Sequence, residues 1–263
     1  MGDVQPPVPG VPAANEMPVA VTVEELMSSG HELHESYTCP LCCLPVALPT
    51  GEHSSFKSCC VKLVCDGCTL ASHKRGMGDT CPFCRAPTPE GDAAALAQVQ
   101  KRVDARDPAA MKYLANAYHE GKWGLQQDDP RAIELWTEAA RLGDLDAHYA
   151  LGCKYYYGVR VERDAARGTR HCQHAAIGGH PQSRHRLGIH EYENGNHKLA
   201  IQHFIISAKM GWERSLKDIK HMFTKGHATK AHYATALRGY QNALEETRSP
   251  QREEAKTFLN QCD

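Results

Sequence analysis

The chain has 263 residues, of which 41% are hydrophobic, and its 30 basic and 31 acidic side chains leave a formal net charge of −1. This balance creates no overall field that would draw the protein to nucleic acid or to an anionic membrane. No apolar run approaches the ~20 residues that a membrane-spanning helix requires. The length favours two compact units over one.

Residues 1–20 are rich in proline and valine and are predicted to form a disordered tail. They lack the basic segment and the continuous apolar core of a secretory signal. We therefore expect an intracellular protein, in the cytoplasm or the nucleus, that binds neither nucleic acid nor a membrane. A short helix is predicted from Val21 to Ser29, with Thr22 as its N-cap.

The stretch from Cys39 to Arg85 holds nine of the twelve cysteines. Two residues between cysteines let one tight turn present both thiolates to a single tetrahedral ion. The stretch has few large apolar side chains, so metal binding, on the order of 10 kcal/mol, would replace a hydrophobic core. Disulfides or buried apolar thiols fit this pattern poorly in an intracellular chain. Two zinc ions are predicted on four pairs: Cys39 and Cys42, Cys59 and Cys60, Cys65 and Cys68, and Cys81 and Cys84.

The order of these pairs resembles that of a RING finger, a small zinc-stabilised α+β module in which alternate pairs share an ion. The module would span residues 35–88. The sequence departs from the family at Lys62, where a histidine ligand is common, and is closer to an all-cysteine variant. Whether Cys59 and Cys60 both ligate, and whether Cys43 replaces Cys42, stays open at the level of sequence. The resemblance implies one zinc ion on Cys39, Cys42, Cys65 and Cys68, and another on Cys59, Cys60, Cys81 and Cys84.

Three further residues of this stretch carry a functional implication. In RING ubiquitin ligases, the residues that match Leu41 and Pro82 form a shallow apolar groove for a ubiquitin-conjugating enzyme. The residue that matches Arg85 hydrogen-bonds to that enzyme and to its ubiquitin, which suits the planar donor fork of arginine. The alternative is that Leu41 and Pro82 only pack the module and Arg85 is an exposed charge.

A connector rich in proline follows Arg85, and a linker helix with an apolar stripe is predicted over residues 92–106. From residue 107 the sequence repeats itself, because YLANAYHEG is echoed by YALGCKYYYG and HRLGIHEYENG, with Leu114, Leu151 and Leu187 at steps of 37 and 36. A second pattern of a capping residue, small residues, a central residue and a glycine follows each copy. It runs from Asp128 to Gly143, from Asp164 to Gly179 and from Asn196 to Gly211. One antiparallel helix pair per repeat is predicted.

This pattern resembles the Sel1-like repeats of the tetratricopeptide superfamily, and the resemblance covers residues 107–226. An all-α solenoid is therefore expected, with a degenerate repeat and C-terminal capping helices over residues 227–263. Cys172 stands where the preceding repeat has Trp136 and is predicted to pack in the core. The crowded histidines are predicted to be polar solvent-facing residues rather than a metal site: His171, His174, His180, His185 and His190.

Two functions from different classes fit this sequence. The first is a RING-type ubiquitin ligase or ligase subunit, which needs no covalent intermediate of its own and holds a ubiquitin-charged conjugating enzyme on the zinc module and an unknown protein substrate on the repeats. The second is a non-catalytic zinc-binding adaptor whose repeats bind a protein partner. Nucleic-acid binding is disfavoured, since the basic residues of the zinc module are scattered.

Overall fold

The protein is described here by a computed structural model that covers residues 18–259. The disorder predicted for residues 1–17 lies outside the described residues. In chain order, the elements are α1 (Val23–Ser28), β1 (Ser54–Lys57), β2 (Lys62–Cys65), α2 (Asp66–Lys74), α3 (Asp92–Asp104), α4 (Pro108–Glu120), α5 (Asp129–Arg141), α6 (Leu145–Tyr157), α7 (Ala165–Ile177), α8 (Pro181–Glu193), α9 (His197–Lys209), α10 (Glu213–Thr224), α11 (Lys230–Glu246) and α12 (Pro250–Leu259).

Residues 35–88, called the cysteine module below, fold around a β-hairpin. β1 and β2 pair antiparallel, with Phe56 opposite Leu63, and α2 follows β2 directly. The apolar core of the module is small: Val46 and Val64 are buried beside the thiols of Cys39 and Cys65. Cysteine side chains thus occupy positions that large apolar residues hold in an ordinary domain.

The remainder of the chain is a solenoid of helices, as predicted. The helices pair antiparallel as α4 with α5, α6 with α7 and α8 with α9, and successive pairs stack on one another. Within residues 18–259, no helix is both long and apolar enough to cross a bilayer.

Capping residues and glycines set the ends of the second helix of each repeat. The carboxylate of Asp128 accepts a hydrogen bond from Arg131 N at 2.9 Å, and that of Asp164 accepts one from Arg167 N at 2.9 Å. Asn196 is the N-cap residue of α9, as predicted, but its side chain makes no cap hydrogen bond and instead donates to the Glu191 carboxylate at 2.7 Å. Beyond the helix ends, positive φ angles occur at the predicted glycines: Gly143, Gly179 and Gly211.

Small residues let the paired helices approach closely around the bulky centre of the second helix. A Cβ atom at Gly152 would lie 2.6 Å from Cys172 Sγ, and one at Gly188 would lie 2.6 Å from the ring of Phe204. Cys172 is 1% exposed, which agrees with its predicted packing role. Each glycine therefore makes room for the central side chain of its partner helix.

Both ends of the described chain fold back on the rest of the molecule. The N-terminal helix α1 packs against α7, and the fully buried Arg184 donates to the carbonyls of Leu26 at 2.6 Å and Ser29 at 2.7 Å. α11 packs against α9 and α10, as a solenoid cap would. The last helix differs from expectation, since α12 leaves the solenoid end and packs against α2 of the cysteine module.

The prediction that the histidines face solvent is wrong for His171 and His180, which are 5% and 1% exposed. His180 is the N-cap of α8, where its Nδ1 accepts from Ser183 N at 3.0 Å, while its Nε2 lies 3.1 Å from the carboxylate of Asp146. An imidazole can satisfy both a helix end and a neighbouring carboxylate, so it is buried at low cost. His203, in α9, is also buried.

Replacing His203 should make folding less sensitive to acid. Burial, with a smaller effect from the charge of Arg184, lowers the pKa of His203 to about 3. The neutral imidazole therefore stabilises the fold above pH ~6.5, and this contribution is lost as the pH falls toward the folded pKa. At pH 5 the loss is about 2 kcal/mol. Because phenylalanine does not titrate, His203→Phe should lose that much less stability than the wild type between pH 7.5 and 5, measured by urea unfolding with excess zinc. Equal losses in both proteins would contradict the assignment.

Candidate metal centre and repeat groove

The cysteine module brings eight thiols into two groups that interleave along the chain. In each group, the four sulfur atoms lie within 4.8 Å of one another. The first and third cysteine pairs form one group and the second and fourth form the other, as the predicted alternation requires. The first group is Cys39, Cys42, Cys65 and Cys68, and the second is Cys59, Cys60, Cys81 and Cys84.

Two turns of the same geometry present the first and the last cysteine pairs. Cys43 N donates to Cys39 O at 2.9 Å, and Arg85 N donates to Cys81 O at 2.8 Å. Each turn is closed by an isolated bridge, from Thr38 to Pro45 and from Thr80 to Pro87. The two sequences, TCPLCCLP and TCPFCRAP, share threonine, cysteine and proline at the same positions. This shared pattern explains why both turns form alike.

The hairpin and α2 supply the other two pairs. Cys59 and Cys60 lie in the turn between β1 and β2. Cys65 ends β2 and is the N-cap residue of α2, so that Cys68 follows in the first turn of that helix. Because the hairpin separates the second pair from the third, it delivers each to a different group.

The donor set fits zinc. Four sulfurs around one tetrahedral ion at 2.3 Å lie about 3.8 Å apart. Cys42 Sγ and Cys65 Sγ are 3.8 Å apart in the first group, and Cys60 Sγ and Cys81 Sγ are 3.8 Å apart in the second. All-thiolate sets of four are typical of structural zinc sites, which leave no position open for a substrate.

The electrostatics of the groups also favour a bound cation. Burial raises the pKa of the Cys60 and Cys68 thiols to about 12, because a desolvated thiolate is unfavourable without a positive charge nearby. At Cys81 desolvation acts in the same direction, but the N–H groups of Cys84 and Phe83 outweigh it and lower the pKa to about 7. The turns thus already stabilise part of the negative charge that a metal ion would require of its ligands.

The remaining candidates of the sequence lie outside the two groups. Cys43 is exposed and is not a member of either group, and neither group contains a histidine. Lys62 is an exposed residue of β2. Leu41 is 40% exposed in the first turn, and Pro82 and Arg85 lie in the last turn, half-buried and exposed respectively. Arg85 has a φ angle of 61°, as Cys43 has at the matching position of the first turn.

A groove in the repeats was not predicted from the sequence. It has a volume of about 450 Å³ and is formed mainly by α4 and α6, the first helices of the first two pairs, with Gln182 of α8 at one side. The exposed side chains of Tyr157 and Val159 line it, together with Lys112 and Lys154. Asp146 pairs with Lys112 at 2.9 Å, and Asp129 pairs with Lys154 at 2.8 Å. Both lysine charges of the groove are therefore compensated from within the protein.

Asp129 is the centre of the ionic network beside this groove. Desolvation alone would raise its pKa, but hydrogen bonds from Lys154, Arg160 and His119 hold the pKa well below the ordinary range. In the sequence, Asp129 appears only as the residue before a helix-starting proline. Its role depends on residues ten to thirty-one positions away, which periodicity does not reveal.

Comparison with known proteins identifies the repeats. The Sel1 repeat family model matches residues 108–144, 145–180 and 181–212. These residues are therefore Sel1 repeats, and they form a protein–protein interaction scaffold. The match does not include the cysteine module.

Solved structures that match this chain include proteins from three bacteria. A Sel1 repeat protein from Oxalobacter formigenes is 24% identical, with a TM-score of 0.51 over 69% of this chain and 52% of that protein. A protective antigen of uropathogenic Escherichia coli strains, which displays an SLR fold, is 24% identical with a TM-score of 0.49, over 58% of this chain and 33% of the antigen. An immunity protein from Pseudomonas aeruginosa is 17% identical with a TM-score of 0.44, over 76% of this chain and 71% of that protein. This chain thus spans between a third and about half of the length of the first two, and the Oxalobacter protein shares its repeat fold.

A matched pair of substitutions should separate Cys42 from Cys43. The Cys42→Ser protein should bind one zinc ion instead of two, because a hydroxyl is a much poorer zinc ligand than the thiolate that it replaces. Cys43→Ser should keep two zinc ions per chain, since its sulfur lies outside both groups. Metal content of the purified proteins, measured by inductively coupled plasma mass spectrometry, gives the answer. Loss of zinc from Cys43→Ser but not from Cys42→Ser would show that the neighbouring thiol is the ligand.

Proposed function

We propose that this protein is a zinc-stabilised interaction scaffold, in which the Sel1 repeats bind a protein partner and two zinc ions hold the cysteine module folded against them. The observation that carries this proposal is the groove of about 450 Å³ along the first helices of the first two matched repeats. Repeat solenoids bind partners along such extended surfaces. Zinc would act in folding alone, because each site would have four thiolate ligands and no open position.

The lining of the groove suggests the chemistry of its partner. Tyr157 is 55% exposed and Val159 is 47% exposed, so the groove presents two neighbouring apolar side chains to a partner. The lysines beside them are neutralised by Asp146 and Asp129. A partner segment with an aromatic or aliphatic anchor, flanked by uncharged polar residues, would fit this surface better than a strongly acidic one.

Truncating Tyr157 should weaken partner binding without unfolding the repeats. A photocrosslinking residue at position 159 would capture the partner in cells, and its affinity would then be measured with purified proteins. We expect Tyr157→Ala to weaken binding about tenfold or more, the range of an aromatic anchor at an interface. Arg131→Ala, an exposed change on α5, should bind like the wild type. If Tyr157→Ala binds the captured protein as tightly as the wild type, while melting at the same temperature, the groove is not the binding surface.

A second candidate function is ubiquitin transfer, which the resemblance to RING ubiquitin ligases favours. Support comes from the alternating order of the cysteine groups and from the exposure of Leu41 and Arg85 on the two matching turns. In this proposal Leu41 and Pro82 contact a ubiquitin-conjugating enzyme. Arg85 donates hydrogen bonds to that enzyme and to its ubiquitin, holding the thioester in a reactive orientation. The repeats hold the protein substrate.

Discharge of ubiquitin from charged conjugating enzymes tests this second function. The zinc-loaded protein should accelerate discharge from at least one member of a broad panel. Leu41→Ala and Arg85→Ala should each reduce that acceleration about tenfold or more, an effect of about 1.4 kcal/mol on the barrier, with zinc content unchanged. Arg75→Ala serves as the control, because it removes an exposed arginine of the same module. No acceleration from the zinc-loaded wild type would leave the scaffold as the function.

A further inference from the structure

The C-terminal helix reaches one of the two cysteine groups through a single side chain. Arg252, in α12, is 8% exposed, and its guanidinium donates to Cys42 Sγ at 3.3 Å, across 210 positions of the sequence. The same guanidinium donates to the carbonyls of Leu44 at 3.0 Å, of Pro45, and of Thr247 at 2.7 Å. One buried arginine thus joins a cysteine of the first group, the turn that carries it, and the chain leading into the last helix.

α12 also contacts the second ligand-bearing turn of that group. A Cβ atom at Gly67, between Cys65 and Cys68, would lie 2.8 Å from Arg252 N and 2.9 Å from Gln251 C. The absence of a side chain at Gly67 therefore lets the two helices approach closely. At the other end of α2, Lys74 pairs with Glu254 at 2.5 Å. Helix α12 therefore packs along α2, and its Arg252 side chain contacts the first cysteine group.

This arrangement has a direct consequence for a metal ion held by the first group. Four thiolates around a divalent ion carry a net charge of −2, and a buried guanidinium beside one sulfur offsets part of it. A hydrogen bond to a ligand atom also fixes the orientation of that ligand, and loss of such a partner typically lowers metal affinity 10- to 100-fold. Among the described residues, the sulfurs of the second group receive no hydrogen bond from α12.

We propose that Arg252 is a positioning residue of the first metal site, and that metal at this site in turn holds the C-terminal helix on the cysteine module. The coupling is reciprocal, because any group that strengthens metal binding when docked is docked more firmly when metal is bound. The second site has no such link. Release of the first metal ion therefore frees α12, while the Sel1 repeats stay folded. This inference rests on zinc binding by the proposed scaffold and is independent of ubiquitin transfer.

Zinc release from full-length protein tests the effect of Arg252 on the metal. In competition with a colorimetric chelator, Arg252→Gln should lose one of its two zinc ions 10- to 100-fold more readily than the wild type. Arg252→Lys keeps the charge but not the donor fork, so its affinity should lie between the two. The control is Arg248→Gln, which removes a 62% exposed arginine from the same segment and should behave like the wild type. Unchanged affinity at both sites in Arg252→Gln would overturn the proposal.

Amide hydrogen exchange tests the reverse direction. The backbone amides of residues 250–259 should be protected from exchange in the zinc-loaded wild type and in Cys84→Ser, which changes only the second group. The same amides should lose this protection in Cys42→Ser. Amides of the matched repeats, residues 108–212, provide the internal reference. Equal protection of α12 in all three proteins, or equal loss in both variants, would overturn the coupling. A wild type that binds no zinc would instead overturn the zinc part of the proposed function, and metal analysis detects this before any variant is compared.

Discussion

The interleaving of the two thiol groups is the constraint on which the cysteine module depends. The hairpin must deliver Cys59 and Cys60 to one group and Cys65 and Cys68 to the other, so both groups depend on the same hairpin. The apolar core that accompanies them is too small to fold such a segment alone, since it consists chiefly of Val46 and Val64 among thiols. Without a cation, burial would disfavour ionisation of several of these thiols, among them those of Cys60 and Cys68. Metal binding, as proposed, would therefore be coupled to the folding of this segment.

The cysteine module and the solenoid are joined by shared packing rather than by a flexible linker. Val61, at the tip of the hairpin, is buried in the same cluster as Trp136 and Leu151 of the repeats. Phe56 of β1 packs against Tyr113 of α4, with ring centroids 3.8 Å apart and ring planes tilted by 33°. Asp146 adds a polar link, because its carboxylate is shared by Tyr37 of the module, Lys112 of α4 and His180 of α8. A partner that binds the repeat groove would therefore contact the same helices that support the module.

The local sequence pattern predicts much of this structure. The features that it fails to predict share one physical cause, which is dependence on residues far apart in the chain. Cysteine spacing predicts the four cysteine pairs, and the resemblance to RING fingers implies how they alternate between two groups. The recurring Asp, Ala and Gly positions predict the helix pairs, because ligand turns, N-caps and left-handed C-terminal glycines depend on residues a few positions apart. Residues far away in the chain determine the features that local pattern does not predict. These are the burial of His180, the ionic network around Asp129, the packing of α12 against α2 and the contacts of Arg252. At Asn196 a residue type that favours capping is present, but its side chain hydrogen-bonds to Glu191 and not to the helix end. Only the structure distinguishes Cys42, whose sulfur lies in the first group, from the exposed Cys43, because adjacent cysteines have the same local pattern.

Repeat solenoids are usually stabilised by contacts between neighbouring repeats, so disturbance at one end remains local. Here two arginines connect distant parts of the chain: Arg184 holds α1 across 158 positions, and Arg252 reaches the cysteine module across 210. Both donate to backbone carbonyls, whose positions depend on the fold and not on the side chain present. Such contacts form only when both segments are already in place, and they add cooperativity without adding apolar area. In the coupling proposed above, the contact between Arg252 and Cys42 links the state of the first thiol group to the last helix.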